Sequence, residues 1–321
     1  MISDAVLNDI SIGRVAVLSG GPSNERGISL VSGRAVYDAL KQSGCDAVLL
    51  EIDDASFGQD LKRLEIDVVF LALHGRFGED GTIQEMLEGL GIPYTGSGPR
   101  ASRCALDKIA SKGIFEKSGI NTPRYAVLEK GRDDRYADSI SRLGLPLVVK
   151  PQFEGSSIGI SVVRDRSQLD EAVRSAFTYG DRILAEEFIE GRELTVGILN
   201  DEPLPVVEIT AEGGFYNFNA KYESKKTGYI VPARISEEEY KISQDTARKA
   251  HLSLGCRFFS RVDMRMDSAG KIFVLEVNTI PGLTGRSLLP KAAQNKGIDF
   301  NRLCLLLTKA AKAAHEKKNF I

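Results

Sequence analysis

Short runs of consecutive apolar residues alternate with stretches whose apolar positions recur every three or four residues. Residues 14–18 (Arg-Val-Ala-Val-Leu) read as a buried strand and 19–23 as a turn. A helix follows, with Ile28, Val31, Ala35, Val36, Ala39 and Leu40 at helical spacing. A second strand is predicted over 47–52 and a third over 67–73, whose near-continuous apolar run is the mark of a buried parallel strand. Residues 74–81 form a glycine-rich loop, and Thr82 is expected to cap a helix over 83–90. The first part of the chain is thus expected to be a small doubly wound parallel-sheet unit. Its ligand edge lies at the loops that leave the strand C-termini.

The pattern then changes. A helical stretch over 99–118 leads to a strand at 124–128, a helix at 133–143 and a strand at 145–150 that ends in Lys-Pro. A loop at 152–159, a strand at 160–163, a helix at 167–178 and a strand at 182–189 follow. Further on come strands at 194–199 and 204–209, a long loop over 211–234, a helix over 237–254, strands at 258–266 and 271–278, and a final helix at 302–317. The class is α/β with α+β modules, and three modules are expected from this order of elements.

Composition narrows the function. Hydrophobic residues make up 42% and charged residues 27% of 321 positions, which suffices for full cores and excludes disorder as the main state. Forty-two Lys+Arg against 44 Asp+Glu leave no basic excess for a nucleic acid or an anionic membrane. Apolar runs fall far short of the ~20 residues that cross a bilayer, and positions 1–12 carry two Asp and no basic residue, unlike a secretory signal. Cys45, Cys104, Cys256 and Cys304 are far apart, and together with the three histidines they form no zinc-ligand spacing. Isolated thiols such as Cys304 between Leu303 and Leu305 suit a reducing, cytoplasmic setting. The chemistry is left to carboxylates, lysines and glycine loops.

The stretch 261–278 is the most informative. Side chains alternate faces along a strand, so Arg261 shares a face with Asp263, and Glu276 with Asn278. With a turn at Ala269-Gly270, Asp263 lies opposite Glu276 and Arg261 opposite Asn278, while Val262, Met264, Leu275 and Val277 fill the other face. Two carboxylates and an amide oxygen suit Mg²⁺. A half-exposed hairpin with a solvated polar face fits the same pattern, but opposed like charges destabilise a strand pair unless a cation intervenes.

A second constellation, Lys150-Pro-Gln-Phe-Glu-Gly-Ser-Ser-Ile-Gly159, offers glycines, the Ser156 and Ser157 hydroxyls and free backbone N–H groups that can fold over phosphate oxygens, with Lys150 to neutralise them. It departs from the P-loop pattern, and alone it also fits an ordinary hairpin connection. Lys108, taken alone, reads as a solvated helix lysine. The stretch 212–228 is too long for a plain connection and carries Phe215, Tyr216, Phe218 and Tyr222, with Tyr229 just beyond, so it reads as a lid that closes over substrate. Glu25, in Gly20-Gly-Pro-Ser-Asn-Glu-Arg26, either favours the following helix dipole or faces an amino group of a ligand. His74 sits on the ligand edge, where a purely structural histidine is equally at home.

Together these stretches resemble the D-alanine–D-alanine ligase family of the ATP-grasp superfamily. The matching pieces run in family order from Gly20 to Ser287: Gly-Gly-Pro-Ser-Asn-Glu-Arg, His-Gly-Arg-Phe-Gly-Glu-Asp-Gly, Lys-Pro-Gln-Phe-Glu-Gly-Ser-Ser-Ile-Gly, Phe-Tyr-Asn-Phe-Asn-Ala-Lys-Tyr, Arg-Val-Asp, Leu-Glu-Val-Asn and Pro-Gly-Leu-Thr. The resemblance implies an ATP-grasp fold with an N-terminal doubly wound parallel-sheet domain. Its parts would be a Rossmann-like substrate domain (1–103), a central ATP-grasp subdomain (104–192) and a C-terminal ATP-grasp subdomain with lid and metal site (193–321).

It also implies residue roles. Lys108 and Lys150 would grip phosphates together with Ser157, and Lys221 would reach the γ-phosphate from the lid. Adenosine would lie along Glu186, Glu187 and Ile189, with Glu193 on the ribose. Asp263, Glu276 and Asn278 would hold two Mg²⁺, with Mn²⁺ as a substitute. Arg261 and the Gly282 N–H would stabilise the acyl phosphate and the oxyanion. Glu25 would hold the first substrate's ammonium and join Ser156 and Tyr222 in a hydrogen-bonded trio, Ser287 would bind the second carboxylate, and His74 lies by the first subsite. Two departures stand out: Glu187 where many relatives have Lys, and Arg286 where they often have His.

The implied reaction joins two D-alanines through a D-alanyl phosphate, with ATP as co-substrate, for peptidoglycan precursors and hence cell-wall synthesis and cell shape, in a cytoplasmic homodimer. D-serine or D-lactate as acceptor is the enzymatic alternative, and Tyr222 goes with D-alanine in the family. A non-catalytic nucleotide-binding regulator is the alternative of another class; the presence of Lys221, Arg261 and both metal carboxylates speaks against it. A nicotinamide dehydrogenase is disfavoured by the missing glycine fingerprint.

Overall fold

The computed structural model describes residues 10–53, 57–132, 136–210 and 227–319. The chain runs β1 (Val15–Gly20), α1 (Arg26–Gln42), β2 (Ala47–Ile52), α2 (Phe57–Arg63), β3 (Val68–Leu71), α3 (Thr82–Leu90), α4 (Pro99–Leu106) and α5 (Lys108–Lys117). It continues through β4 (Tyr125–Glu129), α6 (Tyr136–Leu143), β5 (Leu147–Pro151), β6 (Ser161–Val163), α7 (Leu169–Ala176), β7 (Arg182–Glu187), β8 (Arg192–Leu199) and β9 (Glu202–Thr210). Last come β10 (Gly228–Ile230), α8 (Glu237–Ser253), β11 (Phe259–Met266), β12 (Ile272–Asn278), α9 (Leu288–Asn295) and α10 (Phe300–Asn319).

The first sheet has the order β2-β1-β3 and is parallel throughout. Every residue of β1 and β3 is buried because both faces are covered. Val15, Val17 and Phe70 join Val36 and Leu40 of α1 and Leu303 and Leu307 of α10 on one side. Ala16, Leu18, Val69 and Leu71 pack with Phe57 and Leu61 of α2 and Ile83 and Leu87 of α3 on the other. This is the doubly wound arrangement that the apolar runs imply.

The second sheet, β4-β7-β5-β6, and the third, β10-β9-β8-β11-β12, are antiparallel. One face of the third shares the core of the first sheet through Leu199, Leu204, Val207 and Phe259, while α4, α5 and α8 help cover the other. That shared core holds the loops after β1 and β3 against the loop after β12, and so positions the site.

Several sequence expectations are corrected here. The helix expected over 99–118 breaks at Asp107, whose backbone is extended and whose carboxylate accepts from the N–H groups of Ile109 and Ala110 at 3.0 and 3.1 Å. A carboxylate at that position starts a new helix and ends the old one. Thr82 is the first residue of α3 and not its cap; Gly81 holds the cap position at φ 91°, and Asp80 Oδ1 accepts from the Thr82 N–H at 2.9 Å. Short β10 falls inside the expected 211–234 loop, and α2 and α9 are short helices that the periodicity does not reveal. On the hairpin, Arg261 pairs with Asn278 and Asp263 with Glu276 as expected, but a bulge after Asp263 sets Met264 opposite Val274. Val274, not Leu275, therefore joins Val262, Met264 and Val277 in the core.

Among the described residues no helix is long and apolar enough to cross a membrane. All four cysteines are free thiols, and burial pushes Cys256 up to about 12, as suits a core hydrophobe.

Candidate active site

A cavity of about 580 Å³ opens where the start of α1, the loops after β3 and β5 and the segment after β12 converge. Of the residues singled out from sequence, it is lined by Glu25, His74, Lys108, Ser156, Arg261, Glu276, Asn278, Gly282 and Ser287. Asp263 is not among the lining residues but is hydrogen-bonded to Arg261, which is.

Glu25 occupies the position before α1, yet its side chain makes no capping hydrogen bond. It is buried, and Ser156 Oγ donates to its Oε1 across the cleft. Glycines make room for this carboxylate: a Cβ on Gly75 or on Gly155 would stand 2.7 Å from Glu25 Oε2. Ser156 and Ser157 both hold positive φ, 50° and 61°, a conformation uncommon outside glycine that recurs at ligand loops. His74 Nδ1 lies 3.0 Å from the Ile280 carbonyl and Nε2 lies 3.0 Å from Ser32 Oγ. A carbonyl only accepts, so the proton is assigned to Nδ1, and Nε2 accepts from the serine. Burial holds this imidazole down at about 4, so it is neutral at working pH.

Glu79 was missed from the sequence although it lies inside the 74–81 loop. It lines the cavity, and its two carboxylate oxygens accept from the Gly75 N–H at 2.8 Å and the Ile280 N–H at 3.1 Å. Burial, reinforced by the Glu25 charge, pushes it up to about 8.

At the other end, Arg261 clasps Asp263 with two hydrogen bonds, Nε to Oδ1 at 2.8 Å and Nη2 to Oδ2 at 2.6 Å. Thr195 Oγ1 donates to Asp263 Oδ1 at 2.6 Å, and Asn278 Nδ2 donates to Oδ2 at 3.1 Å. Lys108 is not the solvated lysine its helical context suggests. The break at Asp107 turns it inward, where it is 4% exposed, donates to the Glu154 carbonyl at 2.6 Å and stands 3.5 Å from Glu276 Oε2. Each of the two opposed carboxylates thus has a protein cation beside it, which makes their juxtaposition tolerable. Among the described residues no three His, Cys, Asp or Glu cluster together. The candidate metal donors are two carboxylates and one amide, all oxygen, and they fit a hard divalent cation that completes its shell with phosphate oxygens and water.

The remaining residues gather on the second sheet and at the start of β8. Lys150 Nζ lies 2.5 Å from Glu186 Oε1, the two being diagonal neighbours across β5 and β7. Glu187 pairs with Arg124 at 2.8 Å, Ile189 is buried, and Glu193 pairs with Arg265 at 3.1 Å. These positions and Ser157 do not line the 580 Å³ cavity. Ser287 Oγ accepts from the Thr284 N–H at 3.2 Å and approaches Thr284 Oγ1 at 3.0 Å, and a Cβ on Gly282 would sit 3.1 Å from it. Arg286 is exposed on the rim. Lys221, Tyr222 and most of the expected lid lie outside the described residues.

One cleft therefore offers a carboxylate for a cationic group at one end, with cations for anions and oxygen ligands for a metal ion at the other. The D-ala D-ala ligase C-terminus profile matches residues 114–308, and the D-ala D-ala ligase N-terminus profile matches 55–97. The chain is 46% identical over 298 residues to a D-alanine–D-alanine ligase of Citrifermentans bemidjiense, covering 93% of this chain and 96% of that one. It is 48% identical over 298 residues to one of Nitrosospira multiformis, covering 91% and 95%. The crystal structure of D-alanine–D-alanine ligase from Bacillus anthracis complexed with ATP superposes with a TM-score of 0.83 at 32% identity, covering 95% of this chain and 99% of that one.

Proposed function

The chain belongs to the D-alanine–D-alanine ligase family, and from that premise we propose how its residues divide the work. It is an ATP-dependent ligase with an ATP-grasp fold that joins two D-alanines to D-alanyl-D-alanine, forming ADP and phosphate, for peptidoglycan precursor synthesis. The carboxylate of the first D-alanine attacks the γ-phosphate of ATP, and ADP leaves. The amine of the second attacks the resulting acyl carbon, and phosphate departs from the tetrahedral intermediate.

The observation that carries the residue assignment is the polarity of the cleft, with Glu25 at one end and Arg261, Lys108 and the Asp263–Glu276 pair at the other. Glu25, steadied by Ser156, takes the ammonium of the first D-alanine. Neutral His74 fixes the wall beside it without adding charge. Arg261 and the Gly282 N–H face the acyl phosphate and the oxyanion, where preorganised donors are most effective. Ser287 receives the second carboxylate. Lys108, Lys150 and Ser157 serve the phosphates, with Lys221 from the lid; Glu186, Glu187 and Ile189 serve adenine and Glu193 the ribose. Tyr222 completes the trio with Glu25 and Ser156.

The enzyme uses a divalent metal, and we assign Mg²⁺ at two positions, with Mn²⁺ as a substitute, to Asp263, Glu276 and Asn278. When bound it neutralises phosphate charge during transfer. Arg261 and Lys108 balance the same carboxylates from the protein side. We assign residues 1–103 to the substrate domain, with the boundary between the two halves that grip the nucleotide near residue 192. Free thiols support a cytoplasmic location, and the habit of the family supports a homodimer.

The deciding experiment is phosphate release from ATP and Mg²⁺ with D-alanine alone, then with D-lactate or D-serine added, with products identified by mass. D-alanyl-D-alanine as the sole product is expected. A mixed dipeptide or depsipeptide would move acceptor choice to the region of Arg286 and Ser287. ATP binding without turnover would leave a regulatory protein.

A further inference from the structure

Lys112, on the face of α5 turned to the second sheet, is fully buried, which is rare for a lysine unless it is paired. Its Nζ stands 2.8 Å from Glu186 Oε2, donates to Thr122 Oγ1 at 2.7 Å and to the Pro123 carbonyl at 3.4 Å, and lies 5.2 Å from the Tyr125 ring centroid. Thr122 Oγ1 donates in turn to the Val274 carbonyl at 2.8 Å, and the Val274 N–H donates to the Asn121 carbonyl at 2.8 Å. Lys112 is thereby tied to β12, the strand that carries Glu276 and Asn278. The other oxygen of Glu186 faces Lys150 Nζ at 2.5 Å. One buried carboxylate thus lies between two ammonium groups, and one of them is surplus to charge balance.

We propose that Lys112 is a positioning residue for the nucleotide: it holds Glu186 in place and remains its counter-ion when Lys150 exchanges Glu186 for a phosphate of ATP. The inference rests on the reading that puts Glu186 and Lys150 in the nucleotide site. The two lysines are anchored differently. Lys112 has Thr122 and Pro123 as well as Glu186, whereas among the described residues Glu186 is the acceptor that meets the Lys150 ammonium. Lys150 can therefore leave for another anion. A buried carboxylate stripped of its last cation is strongly disfavoured, so the exchange needs a cation that stays.

The electrostatics agree with this division. Burial drives Lys112 down to about 8, opposed by the Glu186 charge and assisted by repulsion from Lys150, with Glu116 a weaker attraction. Burial would raise Glu186, but Lys112 and Lys150 together bring it below its usual range. Departure of Lys150 removes its repulsion on Lys112, so the remaining pair tightens when the nucleotide arrives.

The test is calorimetric binding of ADP to the full-length protein, which needs no turnover. Lys112→Met is expected to weaken ADP at least tenfold, Glu186→Gln comparably, and the double variant less than threefold beyond either single one, since both act through one carboxylate. If Glu186→Gln weakens ADP while Lys112→Met stays within twofold of the parent, or if the two losses multiply, the positioning role is wrong and the nucleotide site stands. If both single variants bind normally, the nucleotide-site reading fails as well. Should Lys112→Met not fold, the unmodified protein still decides: its ADP affinity is expected to fall at least threefold between pH 7 and pH 9.5 as Lys112 loses its proton, a fall absent in Glu186→Gln. A flat profile in the unmodified protein overturns the proposal.

Discussion

Lys108 Nζ stands 3.5 Å from Glu276 Oε2, a nearly buried ammonium from the first turn of α5 against a carboxylate on β12. It is matched across the hairpin by Arg261 on Asp263. The two acids thus face each other without a naked like-charge contact.

Removing either acidic oxygen set should stop turnover, and Asp263→Asn should also lower stability, since its amide NH2 meets the donors that Arg261, Thr195 and Asn278 direct at that carboxylate. Asp263→Asn and Glu276→Gln are each expected to lower phosphate release by at least about a hundredfold at any practical Mg²⁺, the scale of several kcal/mol of charge stabilisation. Melting temperatures serve as the folding control. Near-normal phosphate release by either variant would remove these residues from the metal site.

Gly155 is packed so closely that a methyl group would meet Glu25 Oε2 at 2.7 Å and Oε1 at 3.2 Å. Gly155→Ala must displace the carboxylate assigned to the ammonium of the first D-alanine. A rise of at least about tenfold in KM for that substrate is expected, corresponding to the loss of about 1.4 kcal/mol or more of charge-assisted binding. ADP affinity should change less than that, because neither Gly155 nor Glu25 is among the residues assigned to the nucleotide, although Ser157 two positions on is. Equal losses for both ligands would point to collapse of the loop and count against the assignment of Glu25.

The pairing of Asp263 with Glu276 was legible from strand alternation, but the turn sits at Ser268-Ala269 and not at Ala269-Gly270, so Met266 pairs with Ile272 and the bulge after Asp263 brings the ladder back to the expected register. The bulge that replaced Leu275 by Val274 was not legible, since one extra residue in a ladder leaves the local pattern unchanged. Lys108 looked solvated because helical periodicity over 99–118 conceals the Asp107 break that turns it inward. Glu79 escaped notice because its burial depends on the Ile280 N–H, which the chain delivers from the far side of the cleft. Lys150 and Glu186 are diagonal partners only once β5 and β7 are known to be antiparallel neighbours, so their roles came from the family resemblance and not from pattern.

His74 should be silent in the pH–rate profile. With Nδ1 facing a carbonyl and Nε2 facing Ser32, its ring is held neutral down to about 4. Ring-proton chemical shifts in NMR are expected to stay constant for His74 between pH 5.5 and 8. A His74 titration near 6.5 would mean that the ring reaches solvent and that the wall of the first subsite is open.

Stability should fall with rising pH between about 6.5 and 8, and Glu79 is the expected source. Its proton is retained in the folded chain up to about 8, whereas the unfolded carboxylate loses it near its ordinary 4.5. Between those values the folded state binds the extra proton, so raising the pH costs stability, by up to about 1.4 kcal/mol per pH unit for one group. His74 works in the opposite sense but only below 6.5, where the unfolded chain takes up the proton that the buried ring refuses. Unfolding by denaturant in the absence of substrates, repeated from pH 6.5 to 8, isolates the slope. Glu79→Gln should flatten it while lowering stability at pH 6.5 by about 1–2 kcal/mol, since the amide accepts from only one of the Gly75 and Ile280 N–H groups. Glu25→Gln should reduce the slope too, because part of the upward push on Glu79 is the Glu25 charge. A slope that survives both substitutions would show that the proton is held elsewhere and that Glu79 is ionised beside Glu25 throughout.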